Sequence, residues 1–149
     1  MAVLSKAELE QLLPHSGAMC LLDAVQSWDD VCIVCTAVSH DKADNPLRHR
    51  NHLPSISGLE YAAQAMAVHC GLLTRCNGAP PAVGYLGAVR DLRLHAGRMD
   101  DVAGKITITA QRLIGDRSSA MYAFRISALD LDLLTGRASV FLRYFGDQR

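Results

Sequence analysis

The sequence has no excess of charge of either sign. Its 149 residues include 15 Lys plus Arg and 15 Asp plus Glu, so the formal net charge is zero. It has no basic run and no acidic tail, which argues against binding to the phosphate backbone of nucleic acid. It also lacks an apolar run of about 18 residues, the length that a membrane-spanning helix needs. We therefore predict a cytoplasmic protein with no membrane span and no nucleic-acid partner.

The chain also lacks the cysteine pattern of a disulfide framework. Its five cysteines are an odd number and lie within apolar segments, so reduced, buried thiols are expected. Cys32 and Cys35 have a C-x-x-C spacing. Residues three apart in a strand point to opposite faces, however, and no second pair accompanies them. We therefore expect no metal site.

The first third of the chain predicts a short helix followed by two strands. Ser5 and Glu8 have the spacing of a capping box and open a helix that Pro14 ends. The segments "MCLLDAVQSW" and "VCIVCTAVSH" are rich in residues that favour strands, and Asp29-Asp30 joins them. A polar segment over residues 41–54 then indicates a loop.

The rest of the chain predicts one long helix and four strands. The helix runs from about Gly58 to Arg75, and it is apolar nearly all round, as a buried helix is. Apolar residues then alternate with polar ones in four segments, with turns expected at Gly115-Asp116 and Thr135-Gly136. This order predicts a single α+β domain over residues 1–149, in which a six-stranded antiparallel sheet wraps around the long helix.

Glu60 is unexpected in so apolar a helix, and Gln64 lies one turn later on the same face. One interpretation is a capping box, because Ser57 precedes Glu60 by three residues. The other is a general acid, since a carboxyl group kept in a dry apolar site can hold a proton and donate it. Backbone N–H groups around Gly58 and Leu59 would then polarise a carbonyl oxygen.

Several motifs resemble one family. The helix start "GLEYAAQ" resembles the central helix of the hotdog-fold 3-hydroxyacyl-acyl carrier protein dehydratases, where Gly-x-(Asp/Glu)-x-x-x-Gln holds the catalytic carboxylate. "LPH" at 13–15, followed by "MCLLD" at 19–23, is similar to the N-terminal signature of that family. "NPL" at 45–47 and "GYL" at 84–86 fall where related motifs occur. The helix "GLEYAAQAMAVH" is most similar to the divergent aryl-polyene-type branch.

The resemblance implies a fold and a reaction. The fold would be the hotdog fold, with a long central helix inside an antiparallel sheet. The reaction would remove water from a 3-hydroxyacyl group to give a trans-2-enoyl thioester in fatty-acid or polyene and polyketide-type biosynthesis. Glu60 would donate the proton, a backbone N–H near Gly58 would hold the enolate-like oxygen, and Gln64 would orient Glu60. No metal or redox cofactor is implied.

The sequence departs from the family at the catalytic histidine. The family places it fourteen residues before the helix carboxylate, and that position is Pro46 here. His52 lies eight residues before Glu60 in "HLP", similar to the family's "HFP", and is the first candidate base. His15 is the second. The alternative for His52 is a solvated loop histidine, and the alternative for His15 is a histidine that hydrogen-bonds to the backbone. His40 and His49 are weaker candidates for the base, and His69 is expected in the core or on a dimer face.

Two other functions remain open at this stage. One is thioester hydrolysis on the same fold, with Glu60 activating water. The other is a non-catalytic acyl-binding subunit of a dehydratase heterodimer. The altered loop at 45–54 favours this second alternative.

The expected partners follow from charge and from the resemblance. Zero net charge and half the residues hydrophobic predict that a second copy covers apolar surface. We expect a homodimer or a higher oligomer of dimers, with a heterodimer with a paralogue as the alternative. The resemblance also implies an acyl carrier protein, whose phosphopantetheine arm would deliver the thioester. Its docking site would be a basic cluster that is otherwise a solvated face: Arg48, Arg50, Arg90 and Arg93.

Overall fold

The structure is a computed structural model that describes residues 3–13, 17–78 and 82–144. Helices and strands follow one another in the predicted order. They are α1 (Lys6–Leu12), β1 (Ala24–Trp28), β2 (Cys32–Ala37), α2 (Gly58–Cys76), β3 (Ala82–Leu94), β4 (Ile106–Gly115), β5 (Ser119–Ala128) and β6 (Leu131–Tyr144). Short 3-10 turns lie at Gly17–Met19, Ser39–Asp41 and Ser55–Ser57.

The six strands form one antiparallel sheet in the order β1-β2-β4-β5-β6-β3. Helix α2 packs against every strand from β2 to β6, so the sheet curves around it. This arrangement confirms the predicted α+β hotdog fold. Among the described residues, β3 pairs with β6 alone and forms one edge of the sheet. At the other edge, backbone hydrogen bonds join Val3 and Leu4 to Val25 of β1.

Small residues allow the sheet to approach α2 closely, as the alanine-rich sequence of the helix predicts. A Cβ atom added at Gly84 of β3 would lie 3.0 Å from Val140 Cγ1 and 3.6 Å from Ala67 Cβ. A Cβ at Gly84 would therefore already touch the helix at Ala67 and crowd Val140 of β6, so there is no room for a larger side chain. Ala62 and Ala65 of α2 are fully buried.

Helix α1 begins with the predicted capping box. The Glu8 N–H donates to Ser5 Oγ, and the Ser5 N–H donates to Glu8 Oε1. Leu9 is fully buried and anchors the helix. Lys6 Nζ donates to the Cys20 carbonyl oxygen at 3.0 Å and lies 3.8 Å from Asp23 Oδ1, which ties α1 to the segment before β1.

Two predicted strand boundaries are wrong at the start of the sheet. β1 begins at Ala24 instead of residue 19, because residues 17–19 form a 3-10 turn and the next backbone groups bond to a side chain of α2. β2 ends at Ala37 and is followed by a second 3-10 turn. The predicted turn at Asp29 is present, and its Oδ1 accepts hydrogen bonds from the Val31 and Cys32 N–H groups.

The turn predicted at Thr135-Gly136 is also wrong, because β6 runs straight through it. The hairpin between β5 and β6 turns instead at Leu129 and Asp130, whose φ angles are 50° and 66°. Positive φ at both central residues is typical of a two-residue hairpin turn. Gly136 has a packing role, since a Cβ there would lie 2.8 Å from Phe124 Cζ.

All five cysteines are free. Cys20, Cys35 and Cys70 are buried as predicted, whereas Cys32 is half-buried and Cys76 is exposed. Burial raises the pKa of the Cys35 thiol to about 12, so this thiol stays neutral. Among the described residues, no three His, Cys, Asp or Glu side chains are grouped to hold a metal ion. The helices in these residues are too short or too polar to span a membrane.

Candidate active site

The chain enters α2 through the 3-10 turn at Ser55–Ser57. Ser57 already has helical backbone angles, φ −62° and ψ −20°, and its side chain makes no capping hydrogen bond. An N-cap residue normally has extended angles that aim its side chain at the first free N–H groups. The interpretation of Ser57 and Glu60 as a capping box is therefore wrong.

Glu60 is exposed in the single chain. Its carboxylate has no hydrogen bond or ion pair within the described part of the chain. The expectation that the sheet alone keeps this group dry is wrong, because Glu60 lies beside β3, the last strand of the sheet. A carboxylate with no structural task remains available for chemistry.

A narrow cleft of about 150 Å³ lies next to Glu60, between α2 and the β3 edge. Its described walls are mostly apolar, and Glu60 is the one charged group among the described residues that line it. The lining residues are Leu13, Glu60, Ala63, Gln64, Ala67, Gly84, Tyr85, Leu86 and Val140. The end of α1, the start of α2 and two strands thus converge on one carboxylate.

Gln64 is buried, and both ends of its amide are occupied. Its Nε2 donates to the Met19 carbonyl oxygen at 2.8 Å, and its Oε1 accepts from the Leu21 N–H at 2.9 Å. These bonds hold the segment after α1 against the central helix. Within the described residues, no hydrogen bond joins Gln64 to Glu60, so its orienting role stays a prediction.

Gly58 packs closely against side chains of the core. Its N–H donates to the carbonyl oxygens of Ser55 and Ile56. A Cβ at Gly58 would lie 2.8 Å from Ile126 Cδ1 and from Leu134 Cδ2. Neither Gly58 nor Leu59 lines the Glu60 cleft, and the predicted oxyanion site near them stays a prediction.

The structure describes the surroundings of His52 but not those of His15. His52 is exposed and lines a separate cleft of about 420 Å³ with Arg98 and Val102. The structure therefore does not bring His52 and Glu60 into one cleft of the same chain. His15 lies outside the described residues. Leu13, two residues before it in the sequence, lines the Glu60 cleft.

Both buried histidines have structural bonds. His40 Nε2 pairs with the Val102 carbonyl oxygen at 3.0 Å. His69 lies in the core, which is one of the two locations predicted for it. His69 Nε2 donates to the Asp29 carbonyl oxygen at 2.6 Å, so Nδ1 accepts from the Tyr122 hydroxyl at 2.7 Å. Burial lowers the pKa of His69 and keeps its imidazole neutral.

A buried polar network next to Glu60 was missed by the sequence analysis. The Tyr61 hydroxyl pairs with Ser39 Oγ at 2.8 Å and accepts from Asn45 Nδ2 at 2.9 Å. Asn45 also accepts the Leu47 N–H through Oδ1. Burial raises the pKa of Tyr61, so its hydroxyl stays protonated. Asn45, the first residue of the "NPL" motif, thus ties the altered loop to Tyr61 of α2.

Residues of the next loop fix the backbone that leads into α2. The Leu53 N–H donates to Asp100 Oδ1 at 3.0 Å, and the Met99 N–H donates to the Leu53 carbonyl oxygen at 2.8 Å. The Arg98 guanidinium pairs with Asp100 and holds the pKa of that carboxyl well below its usual range. The Arg98–Asp100 pair thus holds the backbone at Leu53, a few residues before α2 begins.

Comparison with known families shows which family the chain belongs to. The model of the ApeP-like family, described as ApeP dehydratase, matches residues 7–144. The chain belongs to the ApeP-like dehydratase family. The match includes the C-terminal end of α1 and the first half of α2, which border the Glu60 cleft. No protein of curated function matches the chain in sequence.

Solved structures agree with this family. A chain of the dehydratase heterocomplex ApeI:P from Xenorhabdus doucetiae is 25% identical to this ApeP-like chain, with a TM-score of 0.81 over 92% of this chain and 91% of that one. A thioesterase from Haemophilus influenzae is 11% identical, with a TM-score of 0.70 over 99% and 96%. A hypothetical thioesterase with coenzyme A from Streptococcus pneumoniae is 14% identical, with a TM-score of 0.57 over 80% and 84%. The two thioesterases show the shared fold alone.

Proposed function

We propose that this ApeP-like protein removes water from a 3-hydroxyacyl thioester and releases a trans-2-enoyl thioester. One observation carries the proposal. Among the described residues, Glu60 has no hydrogen-bond or ion-pair partner and is the one charged group that lines the apolar cleft, and the motif resemblance gives it the position of the dehydratase carboxylate. An apolar cleft suits an acyl chain, and a free carboxyl group suits proton transfer.

In the proposed reaction, a base takes the proton from the carbon next to the thioester carbonyl. The electron pair of that C–H bond forms the new double bond, and the C–O bond at the third carbon breaks. Glu60 gives its proton to the departing hydroxyl, which leaves as water. The thioester itself acidifies the carbon next to its carbonyl, so the proposal needs no metal or redox cofactor.

The base is one of two histidines. His15 is favoured by the sequence distance of two residues from Leu13, which lines the Glu60 cleft. His52 is the closer match to the family's "HFP" spelling, but it lines another cleft of the same chain. We propose His15 as the base within one chain and retain His52 for a site shared between chains.

We further propose that a paralogous chain covers Glu60. The cleft opens beside β3, which pairs with β6 alone and leaves its other side without a strand among the described residues. An open edge of 13 residues is a natural place for another chain to add its sheet. The related dehydratase is itself a heterocomplex. Cover by a partner would exclude bulk water from Glu60.

An acyl carrier protein remains the proposed donor of the substrate. Arg50, Arg90 and Arg93 are exposed and are available to an acidic partner. Arg48 is not, because its guanidinium donates to the carbonyl oxygens of Lys42, Asn51 and Asp41. The predicted basic cluster is thus reduced to three arginines.

Product analysis tests the proposed reaction. The chain, alone and co-expressed with its paralogue, is incubated with 3-hydroxyoctanoyl-pantetheine, and the products are separated by mass spectrometry. We expect the 2-enoyl thioester and no free acid. Free 3-hydroxyoctanoic acid would identify a thioesterase instead. No product from either preparation would leave only the role of an acyl-binding subunit and would overturn the proposal.

A further inference from the structure

Arg112 points toward the inside of the fold. It lies on β4 directly opposite Tyr122 of β5 in the antiparallel ladder. Residues opposite each other in such a ladder point to the same face of the sheet. Tyr122 is fully buried, and its hydroxyl pairs with His69 of α2, so this face is the one covered by the central helix. An arginine on an inner face requires a physical explanation.

The Arg112 guanidinium has no partner among the described residues. Its Nε atom is buried without a hydrogen bond, and no carboxylate there lies within ion-pair distance. Hydrogen bonds from Ser118 and Ser119 lower the pKa of the Asp116 carboxyl, and the charge of Arg112 lowers it further, although Asp116 lies beyond ion-pair distance of the guanidinium. The half-buried guanidinium thus has no direct partner among the described residues, so a ligand that neutralises it would be favoured.

Arg112 borders a cavity of about 750 Å³ near the C-terminal end of α2. Leu73, Ala120 and Leu142 supply apolar wall. Cys70 also lines it, and burial raises the pKa of its thiol, which therefore acts as apolar wall instead of a nucleophile. This volume is typical of small-molecule sites.

We infer that this cavity binds a monocarboxylate with an apolar chain or ring. The planar guanidinium matches a carboxylate, and the apolar walls match the rest of such a molecule. Asp30 and Asp116 balance the charges of Arg112 and Arg117 among the described lining residues, so each negative charge beyond the first is disfavoured, which argues against phosphate and dicarboxylates. The cavity shares no lining residue with the Glu60 cleft, so this inference does not depend on the proposed dehydration.

Octanoate is a suitable probe, with octylamine as a probe of equal length and opposite charge. We expect titration calorimetry to detect octanoate binding to the full chain and no octylamine binding. Arg112→Met keeps the apolar stem and removes the charge. It should weaken octanoate binding by about tenfold or more, as expected for a lost hydrogen bond to a charged group. Arg125→Met is the matched control, because Arg125 is exposed and pairs with Asp132.

A second variant guards against misfolding of Arg112→Met. Leu73→Trp would fill the cavity and leave the guanidinium in place, and we expect it to block octanoate binding. Backbone amide NMR shifts on octanoate addition should occur at Leu73, Ala120 and Leu142. The inference is overturned if the wild-type chain does not bind octanoate, if both cavity variants bind it as the wild type does, or if the shifts occur at the Glu60 cleft.

Discussion

Replacing Glu60 with Gln is expected to lower the rate of 2-enoyl thioester formation by about a hundredfold or more, the usual effect of losing a general acid. Gln fits the same space but has no acidic proton to give to the departing hydroxyl. The free energy of unfolding should change by less than about 0.5 kcal/mol, because Glu60 makes no capping bond or ion pair with the described residues. The rate is measured on 3-hydroxyoctanoyl-pantetheine and the stability by urea unfolding.

Glu10→Gln is the matched control for this experiment. Glu10 lies on α1, does not line the Glu60 cleft, and the same substitution there should leave the rate unchanged. A Glu60→Gln protein that is folded and nearly as active as wild type would remove Glu60 from the mechanism. A Glu60→Gln protein that loses activity only because it unfolds would show a structural role that the structure does not predict.

The same assay separates the two histidines. If His15 is the base, His15→Gln should lower the rate as strongly as Glu60→Gln, and His52→Gln should have a much smaller effect. Exchange of the substrate's α proton with deuterated solvent reports on the base alone, before the hydroxyl leaves. The reverse ranking would place the base on His52 and would require a site that two chains share.

Gln64→Leu is expected to destabilise the fold by about 2–4 kcal/mol. The substitution removes the partner of the buried Leu21 N–H, which costs about 1–3 kcal/mol when left unpaired, and that of the part-buried Met19 carbonyl oxygen, which water can partly replace and which therefore costs less. For a chain of this length the melting temperature should fall by about 4–16 °C, since each kcal/mol shifts it by about 2–4 °C. Calorimetric melting and urea unfolding both measure the effect.

Gln11→Leu provides the control for this loss, because Gln11 is exposed on α1. Its effect should stay within about 0.5 kcal/mol. If Gln64→Leu is as stable as the wild type, the two bonds contribute nothing and the attachment of the segment after α1 to α2 is wrong. If stability is kept while KM rises, Gln64 contacts the substrate instead.

Local sequence patterns were sufficient to predict the order of the elements. The apolar helix at 58–76 and the alternating strands each bury a face whose period is visible in the sequence. The Thr135-Gly136 prediction failed because glycine also occurs where a neighbour needs space, here Phe124. Sequence alone does not distinguish a glycine in a turn from one beneath an aromatic ring.

The site was predicted less completely, for reasons of tertiary structure. The capping interpretation of Glu60 depended on spacing, but the preceding 3-10 turn takes Ser57 out of the N-cap conformation. The exposure of Glu60 depends on β3 being an edge strand, and strand order is not encoded in local patterns. The Gln64 bonds span more than 40 residues, so no nearby signal could reveal them.

The central claim is that the acyl thioester binds beside Glu60. The most direct measurement follows backbone amide NMR shifts when a 3-hydroxyacyl-pantetheine amide, which resists hydrolysis, is added to the full chain with and without its paralogue. The account predicts shifts at Ala63, Ala67 and Leu86, which line the Glu60 cleft. Shifts confined to Ala96 and Gly97 beside His52, with the Glu60 cleft unchanged, would contradict it.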